Sequence, residues 1–276
     1  MPFYYYSFEV VNLIAISCLL AVGSYLPYSA GNLVVCFGGL MGIGGLAASM
    51  LQSSLGVPLG LALLGGGVVA ALAGMLIGLA FGKLGGFLFS VVTLAMGELI
   101  RVVVTNSSAL GGALGFKDAG GLISPAWSVC LLLLVLGGFW RFEISMARRT
   151  LVIVRESELL AASLGLNVLS LRTLCLAAGS FVVGLAGGLY IHTVGILDPR
   201  LFGFEKSVEI MMYAVLGGAR NFGGAVISGI LLTTILEFLR VSSELRMVLY
   251  GISMVIVVVL RPEGIMGRGR LLGRVG

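Results

Sequence analysis

The chain has 276 residues, of which 59% are hydrophobic and only 11% charged. A mean hydropathy of +1.13 is more apolar surface than a soluble domain can bury, so the chain reads as an integral membrane protein. The formal charge of +5 fits basic loops on one side of a membrane; nucleic-acid binding would need a basic stripe and is not expected.

The N-terminal run "MPFYYYSFEVV" lacks the basic start of a cleaved signal peptide. Its Tyr4, Tyr5 and Tyr6 suit an interfacial aromatic belt. Apolar runs long enough to cross a bilayer then follow at 8–27, 31–52, 57–82, 84–104, 125–141, 168–191, 206–220, 222–240 and 244–261. The expected class is therefore an all-α, polytopic membrane protein of about 8–10 transmembrane helices, forming one domain over 1–276. The run at 206–220 is short and reads as a broken or steeply inserted helix, which needs protein or a cavity around it.

Glycine is abundant, at 43 residues, without the every-third-residue period and proline content of collagen. The cluster "FGGLMGIGG" (Phe37 to Gly45) predicts an irregular helix. Gly66, Ala70, Gly74, Gly78 and Gly82 recur every four residues, a small-residue stripe suited to close helix packing. "VLGGARNFGG" (Val215 to Gly224) predicts a tight turn between two helices.

Charges within spans are costly and call for a reason. Glu98 with Arg101, and Glu237 with Arg240, each stand three residues apart on a helix face. Two readings stay open: a polar lining for a transport path, with Thr93, Glu98 and Glu237 as its candidates, or interfacial anchoring. The place of both arginines at predicted span ends favours anchoring.

Near the middle, the apolar character breaks at 142–167, which contains "VRESELLAASLGLN" (Val154 to Asn167). If this loop is cytoplasmic, eleven of the 17 basic residues fall inside and six outside, with the N-terminus external and the C-terminus cytoplasmic. Glu156 and Glu158 favour a helix start through the macrodipole, and Gly165 suits the left-handed residue that closes a helix. Leu159, Leu160 and Leu164 give one apolar side. A short amphipathic helix results, placed to touch a partner or to lie on the lipid surface.

Enzyme chemistry finds no foothold. Cys18, Cys36, Cys130 and Cys175 lie far apart inside apolar runs, so neither a metal nor a disulfide is expected. The single histidine, His192, has no second ligand at suitable spacing. Ser180 and His192 are about 18 Å apart along one predicted helix and cannot form a nucleophile–base pair. "AFGKLGG" fails the phosphate-loop pattern in spacing and in the residue after Lys83. No cofactor and no catalytic residue is expected.

The run from Arg155 to Tyr190 resembles the cytoplasmic loop and following helix of the branched-chain amino-acid ABC transporter permeases. The family's loop is R-E-x-E-x-A-A-x-x-x-G-I-like, and the matching positions here are Arg155, Glu156, Glu158, Ala161, Ala162 and Gly165. The pattern A-G-x-A-G-x-L-Y is met by Gly184, Ala186, Gly187, Gly188 and Tyr190. "DPRLFGFEKSVEIMMYAVLGGARNFGGAVISG" and "LRMVLYGISMVIVVVLRPEGIMG" resemble two later blocks of the family. "GKLGGFLFSVVTLAMGELIRVVVTNSSALGGALGF" resembles an earlier block and points to the M-type of its two permease subunits. The similarity covers about residues 31–268. Two departures stand out: "VVCFGGLMGIGG" replaces a polar turn of the family, and the chain begins later than the family pattern, as though lacking its first helix.

The resemblance implies an ABC importer permease fold in a bacterial cytoplasmic membrane. The cargo would be a branched-chain or related amino acid, amide or urea. The implied partners are two cytoplasmic ATPase subunits, a second related permease and an extracytoplasmic solute-binding protein, with lipid around the spans. The loop then becomes a coupling helix that docks on the ATPase through a polar start and a small-residue face of Ala161, Ala162 and Gly165, in which Glu156 supplies a polar contact, Ala162 close approach and Gly165 the turn onward. An ion-coupled secondary transporter is the alternative and predicts unpaired acids at mid-membrane; a purely structural subunit is the third reading.

Overall fold

A computed structural model describes residues 2–107, 112, 116–117, 124–219, 221–239, 248–249, 251–252 and 255. Ten α-helices account for nearly all of them. These are α1 (Pro2–Ser29), α2 (Phe37–Leu55), α3 (Leu59–Phe81), α4 (Gly86–Asn106), α5 (Pro125–Ile144), α6 (Met146–Glu156), α7 (Glu158–Ser163), α8 (Val168–Val194), α9 (Phe204–Gly217) and α10 (Phe222–Leu239). A two-residue antiparallel ladder, β1 (Phe116–Lys117) on β2 (Ile196–Leu197), pairs Phe116 with Leu197. Among the described residues, five helical stretches are long and apolar enough to cross a bilayer: Phe8–Ser29, Leu59–Phe81, Gly86–Asn106, Pro125–Ile144 and Val168–Val194. The protein is a multi-pass membrane protein with an all-helical fold.

α8 is the central post, packed between α1, α2 and α3. Lipid gives apolar helices little hydrophobic reason to associate, so close van der Waals packing has to hold them. Small residues make that possible. The stripe on α3 lies directly against α8: Gly66 and Ala70 face Gly184, a methyl on Gly74 would lie 2.7 Å from Ser180 Cβ, and one on Gly78 would lie 3.1 Å from Thr173 Cα. Gly82 ends the stripe beside Leu169, so α3 and α8 run antiparallel.

The glycines between Phe37 and Gly45 do not loosen their helix; α2 is a regular α-helix from Phe37 onward. Their use is close approach on several sides. Gly44 and Gly45 meet Gly184 and Gly187 of α8, Gly39 meets Gly97 of α4, and Gly42 meets Phe202. Irregular backbone is found just before them. The span expected at 31–52 starts instead with a non-helical segment at 32–36, and its Asn32, Val34, Val35 and Cys36 are buried. α4 supplies its missing hydrogen bonds: Ser90 Oγ donates to the Leu33 carbonyl at 2.8 Å, and Val35 N donates to Thr93 Oγ1 at 3.2 Å. Non-helical backbone is tolerated at depth because protein surrounds it.

α9 is 14 residues long, about 21 Å, and is too short to span alone. Gly218 (φ 87°) closes it, and Gly217 packs on the backbone at Ala225, so α9 and α10 form the tight hairpin expected near Val215–Gly224. Most of the span expected at 244–261 lies outside the described residues.

Gly44→Ala should drive a methyl into the α8 backbone and destabilise the bundle by about 1–3 kcal/mol. Gly137→Ala, in α5 with open space around it, should be neutral or slightly stabilising. Thermal unfolding in detergent compares them; equal midpoints would show that α2 and α8 do not touch at Gly44.

Candidate functional site

One end of the bundle gathers the charged middle of the chain. The end of α3, the end of α5, α6, α7 and the start of α8 all meet there. This brings together Lys83, Arg141, Arg148, Arg149, Arg155 and Arg172, six of the residues whose charge suggested a common side.

Within 142–167 the structure holds two helices where the sequence suggested one. Ser157 breaks them apart: its backbone is extended (φ −156°, ψ 114°), and its Oγ accepts from Leu160 N at 3.2 Å as an N-cap. α7 therefore begins at Glu158, next to the favourable end of the dipole. Glu156 is the last residue of α6, exposed at that helix's C-terminus, and does not start the short helix. A serine with a free hydroxyl before a helical run was the sequence signal for this break.

The far end of α7 is a Schellman turn. Leu166 N donates to the Ala161 carbonyl at 3.1 Å and Gly165 N to the Ala162 carbonyl at 3.0 Å, with Gly165 at φ 76°. Asn167 then caps α8 by accepting from Ser170 N at 3.1 Å. Glu158 Oε1 lies 2.6 Å from Arg172 Nη2, a buried arginine of α8, which ties the elbow to the central post. Arg155 lies over the Tyr28 ring at 5.9 Å and packs on Gly31.

The two alanines part company. Ala161 is fully buried against the bundle, so it does not belong to an outward face; Ala162 and Gly165 are exposed. The outward face also carries Leu159, which is 85% exposed, together with Leu160 and Leu164. A stiff, double-capped helix with bare leucines has little reason to project from a bundle unless something covers it.

The path candidates scatter. Thr93 is fully buried, accepting from Val35 N and donating to the Ser90 carbonyl at 2.9 Å, so its hydroxyl pins backbone. Glu98 and Arg101 form the expected ion pair at 2.7 Å, both partly exposed. Arg101 also borders a small cavity lined by Gly39, Gly42, Ile100, Val104, Pro199 and Phe202. Glu237 lies in α10, but its side chain and Arg240 fall outside the described residues. His192, buried in α8, bonds the Gly188 carbonyl through Nδ1 at 2.7 Å and Gln52 of α2 through Nε2, so it serves packing. Among the described residues no group of three or more His, Cys, Asp or Glu is placed to hold a metal.

Sequence reasoning passed over Arg148. It is buried, donates through Nη2 to the Ala219 carbonyl at 3.0 Å and through Nε to Glu143 Oε1 at 3.2 Å. An arginine beside a second arginine at a helix start carries no mark of which one turns inward.

The chain is thus an apolar, multi-pass helical bundle with a capped elbow at its basic end. The family described as "Branched-chain amino acid transport system / permease component" matches residues 6–258, and the chain belongs to that family. It is 26% identical to the high-affinity branched-chain amino acid transport system permease protein LivM of Escherichia coli (strain K12), over 94% of this chain and 69% of that protein. It is 24% identical to the probable branched-chain amino acid transport permease protein LivM of Methanocaldococcus jannaschii, over 72% of this chain and 66% of that one. A shorter match, 30% identical over 41% of this chain and 37% of the relative, links it to the LivH permease protein of Escherichia coli (strain K12).

Replacing Gly165 by Val should cost the Schellman turn about 1–2 kcal/mol, because a side chain disfavours the left-handed backbone. Asn, which enters that region more readily, should be tolerated better. Hydrogen exchange of peptides spanning 157–168 should speed up in the Val variant more than in the Asn variant. Identical exchange in all three proteins would show that this turn is not left-handed in solution.

Proposed function

We propose that the chain is a permease subunit of an ATP-binding-cassette importer, with α7 as its coupling helix. The observation that carries this reading is the capped elbow itself. Ser157 and Gly165 fix both of its ends, Arg172 anchors it, and Leu159, Leu160 and Leu164 stay bare. Glu156 and Ala162 stand at its outer surface, available to a partner.

The partner fitting this elbow is a cytoplasmic ATPase, two copies serving a pair of permeases. Similarity to both LivM and LivH supports a second, related permease beside this one. An extracytoplasmic solute-binding protein would deliver the cargo, a branched-chain or related amino acid. The membrane would be the bacterial cytoplasmic one. Its basic bundle end, with the 142–167 loop and the C-terminus, would face the cytoplasm. Nucleotide-driven motion of the elbow would tilt the helices attached to it between inward-open and outward-open states.

Ion coupling without an ATPase fits less well. It calls for acids free to titrate in the membrane. Among the described residues, Glu98 pairs with Arg101, Glu143 with Arg148 and Glu209 with Lys206.

ATP-driven amino-acid uptake in proteoliposomes, using the complex purified through this chain, tests the reading. An ATPase should co-purify with the wild type. Leu159→Glu combined with Leu160→Glu touches only exposed positions and should leave protein yield intact. It should lower ATPase retention and uptake by at least about tenfold, the change that about 1.4 kcal/mol brings. Uptake driven by an ion gradient with no ATPase present would replace the importer by a secondary transporter.

A further inference from the structure

α6 starts as a surface helix should, with Arg148 and Arg149 adjacent in its first turn. The fold separates them. Arg149 is exposed, whereas Arg148 turns inward with Leu151 and Val154 and keeps only 8% of its surface. Burying a guanidinium is costly unless acceptors and a counter-charge meet it.

Arg148 meets them on three other elements. Its Nε donates to Glu143 Oε1, at the end of α5. Its Nη2 donates to the Ala219 carbonyl, in the turn between α9 and α10. Its guanidinium carbon lies 5.9 Å from the centre of the Tyr25 ring in α1, and the Tyr25 hydroxyl donates to both Glu143 oxygens at 3.3 Å.

Leu151 and Val154 already seat α6 on the bundle. A methionine beside them would do so with less desolvation than an arginine. What arginine adds is directional: its planar fork fixes the relative positions of the groups it binds. An apolar contact slides with little change in energy, while a fork bonded to two elements resists. Ser157 alone separates α6 from α7, so α7 cannot shift far without α6.

We infer that Arg148 is a positioning residue that carries displacement of α7, through α6, to the α9–α10 turn and to α1. The inference rests on the reading of α7 as the ATPase-docking helix.

The test uses the full complex in proteoliposomes, with leucine as the transported probe, and compares wild type with Arg148→Met, Arg148→Lys and Tyr25→Phe. Three quantities are read: ATPase retained per permease, ATP hydrolysed, and leucine moved per ATP. ATPase retention should stay at the wild-type level in all variants, since α7 is untouched. Leucine moved per ATP should fall at least about fivefold in Arg148→Met, the low end of an allosteric coupling energy. Lys should recover part of the loss, because it keeps the charge beside Glu143 without the fork. Tyr25→Phe keeps the ring and removes only the hydroxyl, and should show a smaller loss in the same ratio. If Arg148→Met does not fold, Tyr25→Phe decides. Uptake and hydrolysis falling together, with leucine per ATP unchanged, would overturn the inference and leave Arg148 a purely structural contact. Absence of ATPase from the wild-type complex would instead remove the docking reading, and the inference with it.

Discussion

Close backbone approach around α8 is the constraint on which the rest depends. In lipid, apolar side chains gain little by leaving their surroundings, so dispersion between tightly packed helices must do the work. Glycines on α2, α3 and α8 let three backbones share one post. That post then sets the position of everything at its ends. Asn167 caps its start, and Arg172, one turn in, anchors the elbow through Glu158. Its last turn holds His192, which bonds to α2, and leads through Gly195 into the ladder and the Pro199–Phe202 turn.

The same packing explains how broken backbone survives inside. The segment at 32–36 has no ladder or helix of its own, yet Ser90 and Thr93 offer it hydrogen bonds from α4. Such an insertion would be ruinous facing lipid and is harmless facing protein. It also lets α2 begin beside Gly97, partway along α4, rather than at the bundle's edge.

What could be read from the sequence follows from what hydropathy and spacing encode. The long spans were legible because crossing a bilayer imposes a length. The stripe from Gly66 to Gly82 was legible because a four-residue repeat is a face. Gly165 was legible because a helix end needs a left-handed residue. The cluster at Phe37–Gly45 misled, since glycine signals either loose backbone or close approach, and only the neighbours decide. Glu156 fell on the other side of a boundary that one serine sets, and Ala161 on the buried rather than the outward face of α7. Thr93 suggested a path by being polar, although its bonds go to backbone. Arg148 was invisible for a different reason: its acceptors at Ala219 and its ring at Tyr25 lie far away along the chain.

That separation bears on biosynthesis. Glu143 is five residues from Arg148 and emerges from the ribosome with it, so the local ion pair is available at once. Tyr25 has been made long before. Ala219 has not; it stands 71 positions further along the chain, beyond all of α8 and α9. The buried seat of Arg148 is therefore complete only after most of the chain has been synthesised. Until then α6 has its local acid but lacks its distant carbonyl. Final docking of the elbow thus becomes a late event, one that reports whether the α9–α10 hairpin has reached its place.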